Sequence, residues 1–83
     1  MNTKLFVYLC TREVIEDTYK RTGTNITEDD VYVVWQCKTL QNNKALLSTS
    51  LRDGVYYEFT CDGNNERIYM DVYEKVKNST ILI

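Results

Sequence analysis

The 83-residue sequence contains no histidine, so it has neither a catalytic histidine nor a histidine that could complete a zinc site. Histidine is the side chain most often used as a general acid or base at neutral pH, so catalysis would need a carboxylate, a cysteine or a lysine with a shifted pKa. The three cysteines, Cys10, Cys37 and Cys61, lie far apart and form no Cys-x-x-Cys zinc motif. We therefore predict a protein that is not an enzyme and that has no catalytic, metal-binding or cofactor-binding residues.

The sequence also lacks a long hydrophobic segment. No stretch reaches the roughly 18 consecutive apolar residues of a membrane-spanning helix. The first residues, MNTKLFVYLC, include a short apolar run without the small-residue cleavage site of a secretory signal peptide. An odd number of widely spaced cysteines without a secretion signal favours free thiols in a reducing compartment. We expect a cytoplasmic protein with no membrane partner.

Neither sign of charge dominates, because 12 acidic and 10 basic residues are spread along the chain and give a net charge of −2. Nucleic-acid-binding surfaces are usually strongly basic, so nucleic acid is disfavoured as a partner. A hydrophobic content of 43%, with 12% aromatic residues, is sufficient for a folded globular core. A chain of this length buries one such core, so we predict a single domain over residues 1–83.

Residues 3–22 are predicted to form an amphipathic helix, because apolar and small side chains recur at helical spacing and charged residues lie opposite them. Gly23 is expected to end this helix, since glycine readily takes the left-handed conformation of a C-terminal cap. Leu5, Phe6 and Leu9 lie off the predicted buried face. They either cover the sheet edge, begin as a strand, or contact a second copy of the chain or a partner. The predicted buried face contains Val7, Tyr8, Thr11, Val14, Ile15, Thr18, Tyr19 and Thr22.

The stretch 30–61 is predicted to form three consecutive antiparallel strands. The first runs to about Thr39 and the second covers residues 44–51. The third follows the Asp-Gly pair at 53–54, which is a strong signal for a two-residue hairpin turn. Alternating apolar and polar residues give each strand one apolar side, which we expect to face the core and call the dry side, and one polar side, which we expect to face solvent and call the wet side. The predicted dry side contains Val31, Val33, Trp35, Cys37, Ala45, Leu47, Thr49, Leu51, Val55, Tyr57, Phe59 and Cys61.

The segment after these strands is compatible with two structures. Apolar residues recur at positions i, i+3, i+4 and i+7, which predicts a second helix over residues 66–77. The alternative is a fourth strand over residues 67–73, because isoleucine, tyrosine, methionine and valine suit a strand. The last five residues, STILI, are expected either to add an edge strand or to cover the base of the core. The residues of the predicted helical face are Tyr69, Val72, Tyr73 and Val76.

We therefore predict an α+β fold in which an N-terminal helix, a three-stranded antiparallel meander and a C-terminal helix form a two-layer sandwich. The same order of elements (α-β-β-β-α) occurs in the double-stranded-RNA-binding fold, so the alternative function is a nucleic-acid-binding module. That fold contacts RNA through lysines near the start of its second helix. The corresponding residues 64–67 carry one cation and one anion, so the topology is matched and the electrostatics are not.

The predicted partner-binding surface combines the first hairpin with the wet, outer side of the sheet. Amides and two lysines are concentrated between Gln36 and Lys44, while Tyr32, Leu46 and Tyr56 offer amphipathic area on the outer side. Such a surface would bind a partner protein or an anionic ligand. The alternative is that the amides form the turn and the lysines face solvent. The candidate residues are Tyr32, Gln36, Lys38, Gln41, Asn42, Asn43, Lys44 and Tyr56.

The segments 34–42, 44–46 and 53–58, together with the later run IYMDVYEKV, resemble a family of short proteins of unknown function. That family is encoded by tailed bacteriophages and prophages of Gram-positive bacteria, and the similarity spans residues 27–76. The resemblance implies a phage or prophage origin and a location in the cytoplasm of the bacterial host, and it supplies no catalytic residue. We therefore expect a small interaction module that binds an unidentified host or phage protein, and a homodimer is also compatible with its surfaces.

Overall fold

The first element, α1, spans Thr3–Thr22 in the computed structural model, which describes all 83 residues of the chain. Asn2 caps its start, because the side-chain oxygen accepts a hydrogen bond from the Leu5 backbone N–H at 2.8 Å. Gly23 ends the helix in the left-handed conformation, with φ at 77°, and donates its backbone N–H to a carbonyl of the last turn. The predicted helix and its glycine cap are confirmed.

Four antiparallel strands follow α1, and each pairs with the next in chain order. A short turn of 3-10 helix, Glu28–Asp30, leads into the first of them. The strand bounds are Val31–Thr39 for β1, Asn42–Thr49 for β2, Val55–Asp62 for β3 and Arg67–Glu74 for β4. The two edge strands of the sheet are therefore β1 and β4.

The α+β class is confirmed, but the predicted α-β-β-β-α order is wrong, because a fourth strand stands where the C-terminal helix was expected. All eight residues of β4 pair with β3. This pairing satisfies backbone groups on the open side of β3 that a helix would leave unpaired. Glu66, at the start of the predicted helix, instead takes a positive φ of 52° in the turn before β4. Without a second helix, the topological likeness to the double-stranded-RNA-binding fold is lost.

The connections between strands differ in length from those predicted. Asp53 and Gly54 do lie between β2 and β3, and Gly54 has a positive φ of 68°. The connection nevertheless covers residues 50–54 and is longer than a two-residue turn. After β4, residues 75–83 have no regular secondary structure, and the STILI segment is exposed. That segment therefore neither adds an edge strand nor covers the core.

The hydrophobic core lies between α1 and one face of the sheet, which we call the inner face. The inward alternation predicted for β3 is confirmed, since every second residue from Val55 to Cys61 is buried. On α1 the prediction is wrong in part, because Phe6 is buried while Tyr8 and Tyr19 are exposed. Exposure keeps both tyrosine hydroxyls in contact with water, whereas Phe6 has no polar atom to satisfy. The core cluster is Phe6, Cys10, Val14, Ala45, Leu47, Val55, Tyr57, Phe59 and Cys61.

A β-bulge interrupts the pairing of β1 with β2. Val33 is opposite Leu47, but Trp35 is opposite Leu46, so Val34 is an extra residue on β1. Residues directly opposite each other in an antiparallel pair lie on the same face of the sheet. The bulge therefore exchanges the two faces for every residue of β1 that follows it.

Beyond the bulge, Trp35 and Cys37 lie on the face away from α1, and Gln36 and Lys38 lie on the inner side. This arrangement is the reverse of the prediction. Trp35 is 43% exposed, so its predicted place in the core is wrong, and Cys37 is exposed as well. Val31, before the bulge, keeps its predicted side and packs against the core cluster.

Candidate protein-binding face

The face of the sheet opposite α1, which we call the outer face, has no helix over it. The cross-strand register aligns its side chains in three rows, each of which crosses all four strands. Five aromatic side chains belong to these rows. The first row is Tyr32, Ser48, Tyr56 and Tyr73, the second is Trp35, Leu46, Glu58 and Asp71, and the third is Cys37, Lys44, Thr60 and Tyr69.

Four of the five aromatic side chains of the outer face remain about half exposed, and Tyr56 is less exposed. The exposed fractions are 50% for Tyr32, 43% for Trp35, 49% for Tyr69 and 51% for Tyr73. Tyrosine and tryptophan combine a large apolar ring with one polar group, and both are enriched in protein interfaces. The outer face therefore has the composition of a surface that becomes buried on binding.

Charge on the outer face is concentrated around Glu58. The Lys44 Nζ lies 3.8 Å from Glu58 Oε2, and the Tyr73 hydroxyl donates a hydrogen bond to Glu58 Oε1 at 3.4 Å. The negative charge of Glu58 raises the pKa of the Tyr73 phenol, and Asp71 raises it further. The three rows thus contain two carboxylates and one lysine, so this part of the outer face is slightly acidic.

The structure distributes the predicted partner-binding residues over several surfaces. Tyr32, Lys44 and Tyr56 belong to the outer face. Gln36 and Lys38 are exposed, but they lie on the inner side of β1. The remaining three are Gln41, Asn42 and Asn43, at the end of the first hairpin.

The amide residues of the first hairpin lie at its turn or in the interior of the sheet. Gln41 lies in the turn, with its carbonyl so close to Gly63 that a side chain there would clash. Asn42 Oδ1 accepts the Gly63 backbone N–H at 3.3 Å and so joins two turns of the sheet. Asn43 is only 2% exposed, and its Nδ2 has no hydrogen-bond partner. Asn43 is therefore part of the interior rather than of a binding surface.

Four further residues of the outer face were not predicted from the sequence: Trp35, Tyr69, Asp71 and Tyr73. Trp35 was missed because of the bulge, for which the only local signal is the apolar run 33–35 that breaks the alternation. The other three were missed because β4 was predicted as a helix. Apolar residues at 68, 70 and 72 alternate with them, and this period of two was the available signal for a strand.

The acidic run Glu28–Asp30 is organised by its own hydrogen bonds. The Asp30 carboxylate accepts hydrogen bonds from the Thr27 backbone N–H at 2.9 Å and from the Ser50 hydroxyl at 3.0 Å. These bonds hold the pKa of Asp30 below its usual value. No group of three or more potential metal-ligating side chains converges in the chain, and none of its helices has the length and apolarity needed to cross a membrane.

All three cysteines are free thiols, and they occupy two different environments. Cys10 and Cys61 are buried in the core, whereas Cys37 is exposed in the third row of the outer face. Burial raises the pKa of Cys10 to about 12, so this thiol stays protonated at neutral pH.

Comparison with protein families gives a match over nearly the whole chain. A family model described as a family of unknown function (DUF6275) matches residues 5–83, which include the core and the entire outer face. No curated protein and no solved structure matches the chain.

Proposed function

The chain belongs to the DUF6275 family, whose function is unknown, and we propose that it is a small non-enzymatic module that binds another protein through the outer face. Phage or prophage origin and a location in the host cytoplasm are part of this proposal. They are supported by the resemblance of segments 34–42 and 53–58 to proteins encoded by phages and prophages.

The observation that carries the proposal is the position of Trp35. The bulge at Val34 turns this side chain away from the core and sets it beside Leu46 in the second row of the outer face. Exposed apolar surface is costly in water unless something covers it, and tryptophan and tyrosine are the residue types that most often dominate binding energy at interfaces. Tyr32 and Tyr56 in the first row extend this surface.

The charges of the outer face favour a partner surface that combines arginine with apolar side chains. Arginine pairs with carboxylates and also stacks on aromatic rings, so it can use Glu58 or Asp71 together with a neighbouring tyrosine. Aromatic sheet faces can also stack nucleic-acid bases, but they do so beside a positively charged groove. Lys44 is the one cation in the three rows, and Glu58 lies next to it. The proposal therefore specifies a protein partner.

The test is affinity capture from lysates of infected or lysogenic host cells, with the double variant Tyr32→Ala/Trp35→Ala compared with the unmodified chain. Both changes remove aromatic area from the outer face of β1. The matched control is Tyr19→Ala on α1, because Tyr19 is 53% exposed and lies away from the outer face. The double variant should lose a specific protein that the unmodified chain and the control both retain.

Two results would overturn the proposal. One is an unchanged set of captured proteins for the double variant, provided that circular dichroism shows the variant to be folded. The other is binding of labelled single-stranded or duplex nucleic acid with an affinity that falls steeply as salt is added, because that dependence is the signature of phosphate contacts.

A further inference from the structure

The two open edges of the sheet are built differently. β1 contains the bulge at Val34, and bulges disturb an edge and discourage its pairing with another chain. β4 runs for eight residues in unbroken register against β3. About half of its backbone N–H and C=O groups point to the open side, where the sheet has no further strand. β4 is therefore the edge that can accept another strand.

The inner side of β4 is apolar and incompletely covered. α1 packs mainly over β1, β2 and β3. Ile68 reaches the core cluster, but Met70 is 37% exposed and Val72 is 44% exposed. A groove of about 330 Å³ separates α1 from β4, with Leu9 on the helix side and Ile68 and Met70 on the strand side. A strand added beside β4 would bring further apolar side chains next to this groove.

A second copy of β4 can supply those side chains. Directly opposite residues lie on the same face, so two antiparallel β4 strands related by a two-fold axis must be centred on a residue. Centring on Met70 places Ile68 opposite Val72 of the second copy, and Met70 opposite its own counterpart. All three inner apolar positions then have apolar neighbours across the axis.

The outer side of β4 favours the same centre. With Met70 on the axis, Tyr69 is opposite Asp71 of the second copy, and Arg67 is opposite Tyr73. Arg67 and Asp71 are then diagonal neighbours of opposite charge, within reach of a long side chain. Centring on Asp71 would place two carboxylates directly opposite each other, which is destabilising. Centring on Tyr69 would shorten the ladder and leave Val72 outside it.

We propose that two copies of the chain associate through β4, centred on Met70, and form one continuous eight-stranded antiparallel sheet. The two-fold axis is perpendicular to the sheet, so both α1 helices lie on the same side. On the inner side of the sheet, Ile68, Met70 and Val72 of the two copies then form one continuous apolar surface between the helices. The outer faces of the two copies also become continuous. This dimer does not depend on the outer face having another partner.

Disulfide trapping tests the register in a Cys37→Ser background, which removes the exposed native thiol. In the proposed pair the two Met70 Cα atoms lie about 4.5–5.5 Å apart, a distance that a disulfide spans. Met70→Cys should therefore form a covalent dimer under mild oxidation. Val72→Cys is the matched control on the same side of the strand, because its two copies lie about 13 Å apart along the paired strands.

The solution mass provides a second measurement. The unmodified chain should sediment as a dimer, and Met70→Lys should be monomeric because it places two like charges on the axis. Val34→Lys, on the bulged edge, should remain dimeric. A monomeric mass for the unmodified chain would overturn the proposal. Equal cross-linking from Met70→Cys and Val72→Cys would also overturn the proposal. Cross-linking from Tyr69→Cys or Asp71→Cys that is stronger than from Met70→Cys would overturn it as well. The trapping result decides the question if Met70→Lys fails to fold.

Discussion

The Tyr57 hydroxyl donates a hydrogen bond to the Asp17 carboxylate at 2.8 Å and so joins β3 to the last turns of α1. The same oxygen accepts a hydrogen bond from Arg21 Nη2 at 3.0 Å and lies 3.2 Å from the Thr18 hydroxyl. Arg21 also reaches the Asp53 carboxylate at 3.3 Å. Tyr57 is fully buried and its charged partners lie at the boundary of the core, so this cluster fixes the position of α1 on the sheet.

Removal of the Tyr57 hydroxyl should therefore destabilise the protein although the ring remains. We expect Tyr57→Phe to lower the free energy of unfolding by about 1–3 kcal/mol, because the buried Thr18 hydroxyl and the partly buried Asp17 carboxylate lose a hydrogen-bond partner. Denaturant titration measures this change. Tyr19→Phe, an exposed tyrosine on the same helix, is the control and should have little effect. Equal stability of the two variants would show that the hydroxyl cluster contributes nothing to the folded state.

Trp35 and Phe59 should respond differently to truncation. Phe59 is fully buried in the core, so Phe59→Ala should cost about 3–5 kcal/mol of unfolding free energy. Truncation of Trp35 would cost as much if the ring were in the core, as the alternation of apolar and polar residues in β1 predicts. On the outer face we expect Trp35→Ala to cost about 1 kcal/mol. Equilibrium unfolding of the two variants under identical conditions compares them directly. Similar losses would place the tryptophan ring inside the molecule.

The Asp30 hydrogen bonds predict a stability contribution that depends on pH. Its folded-state pKa is lowered from 3.8 by the Thr27 backbone N–H and then by the Ser50 hydroxyl. A lowered carboxyl pKa stabilises the fold fully above the unfolded value, and this stabilisation is lost as the pH falls through the folded value. The difference in stability between the unmodified chain and Asp30→Asn should therefore be constant near neutral pH and shrink below the ordinary aspartate pKa.

The matched control for Asp30 is Asp29→Asn. Asp29 is the neighbouring carboxylate in the same turn and is exposed. Asp29→Asn removes a neighbouring negative charge and leaves the hydrogen bonds of Asp30 to Thr27 and Ser50 in place, so the loss of stability that follows protonation of Asp30 should remain. If the free energy of unfolding falls equally with decreasing pH for the unmodified chain and for Asp30→Asn, the predicted contribution of Asp30 is contradicted.

Thiol reactivity should separate the cysteines in the folded protein. Cys37 is exposed and should react with an alkylating reagent near neutral pH. Cys10 and Cys61 are buried, and the raised pKa of Cys10 keeps its thiol protonated, so both should react only on unfolding. Mass spectrometry of samples quenched before and after denaturation gives the number of alkylated cysteines per chain. More than one rapid modification of the folded chain would mean that the core opens readily.

Local signals explain which parts of the fold could be predicted. Gly23 supplies the left-handed cap of α1, and the period of two in β3 is unbroken from Val55 to Cys61. Both features depend on residues that are close in sequence. They were therefore visible without knowledge of the rest of the molecule.

The two errors in the sheet have a different origin, since they depend on neighbouring strands. The β4 segment contains both a helical and a strand periodicity, and the open edge of β3 decides between them. The bulge at Val34 exists only relative to its partners Leu46 and Leu47. Because the outer face is assembled from β1 and β4 as well as the central strands, these two errors concealed much of the candidate site.

The consecutive pairing of β1 to β4 has a consequence for how the chain folds. Each hairpin pairs residues that are near in sequence. Strand pairing can therefore begin at any of the three turns, because closing a short loop costs little conformational entropy. The bond from Asp17 to Tyr57 spans 40 residues and cannot form by that route. Docking of the helix closes a much longer loop, and we therefore expect it to be slower than the pairing of neighbouring strands.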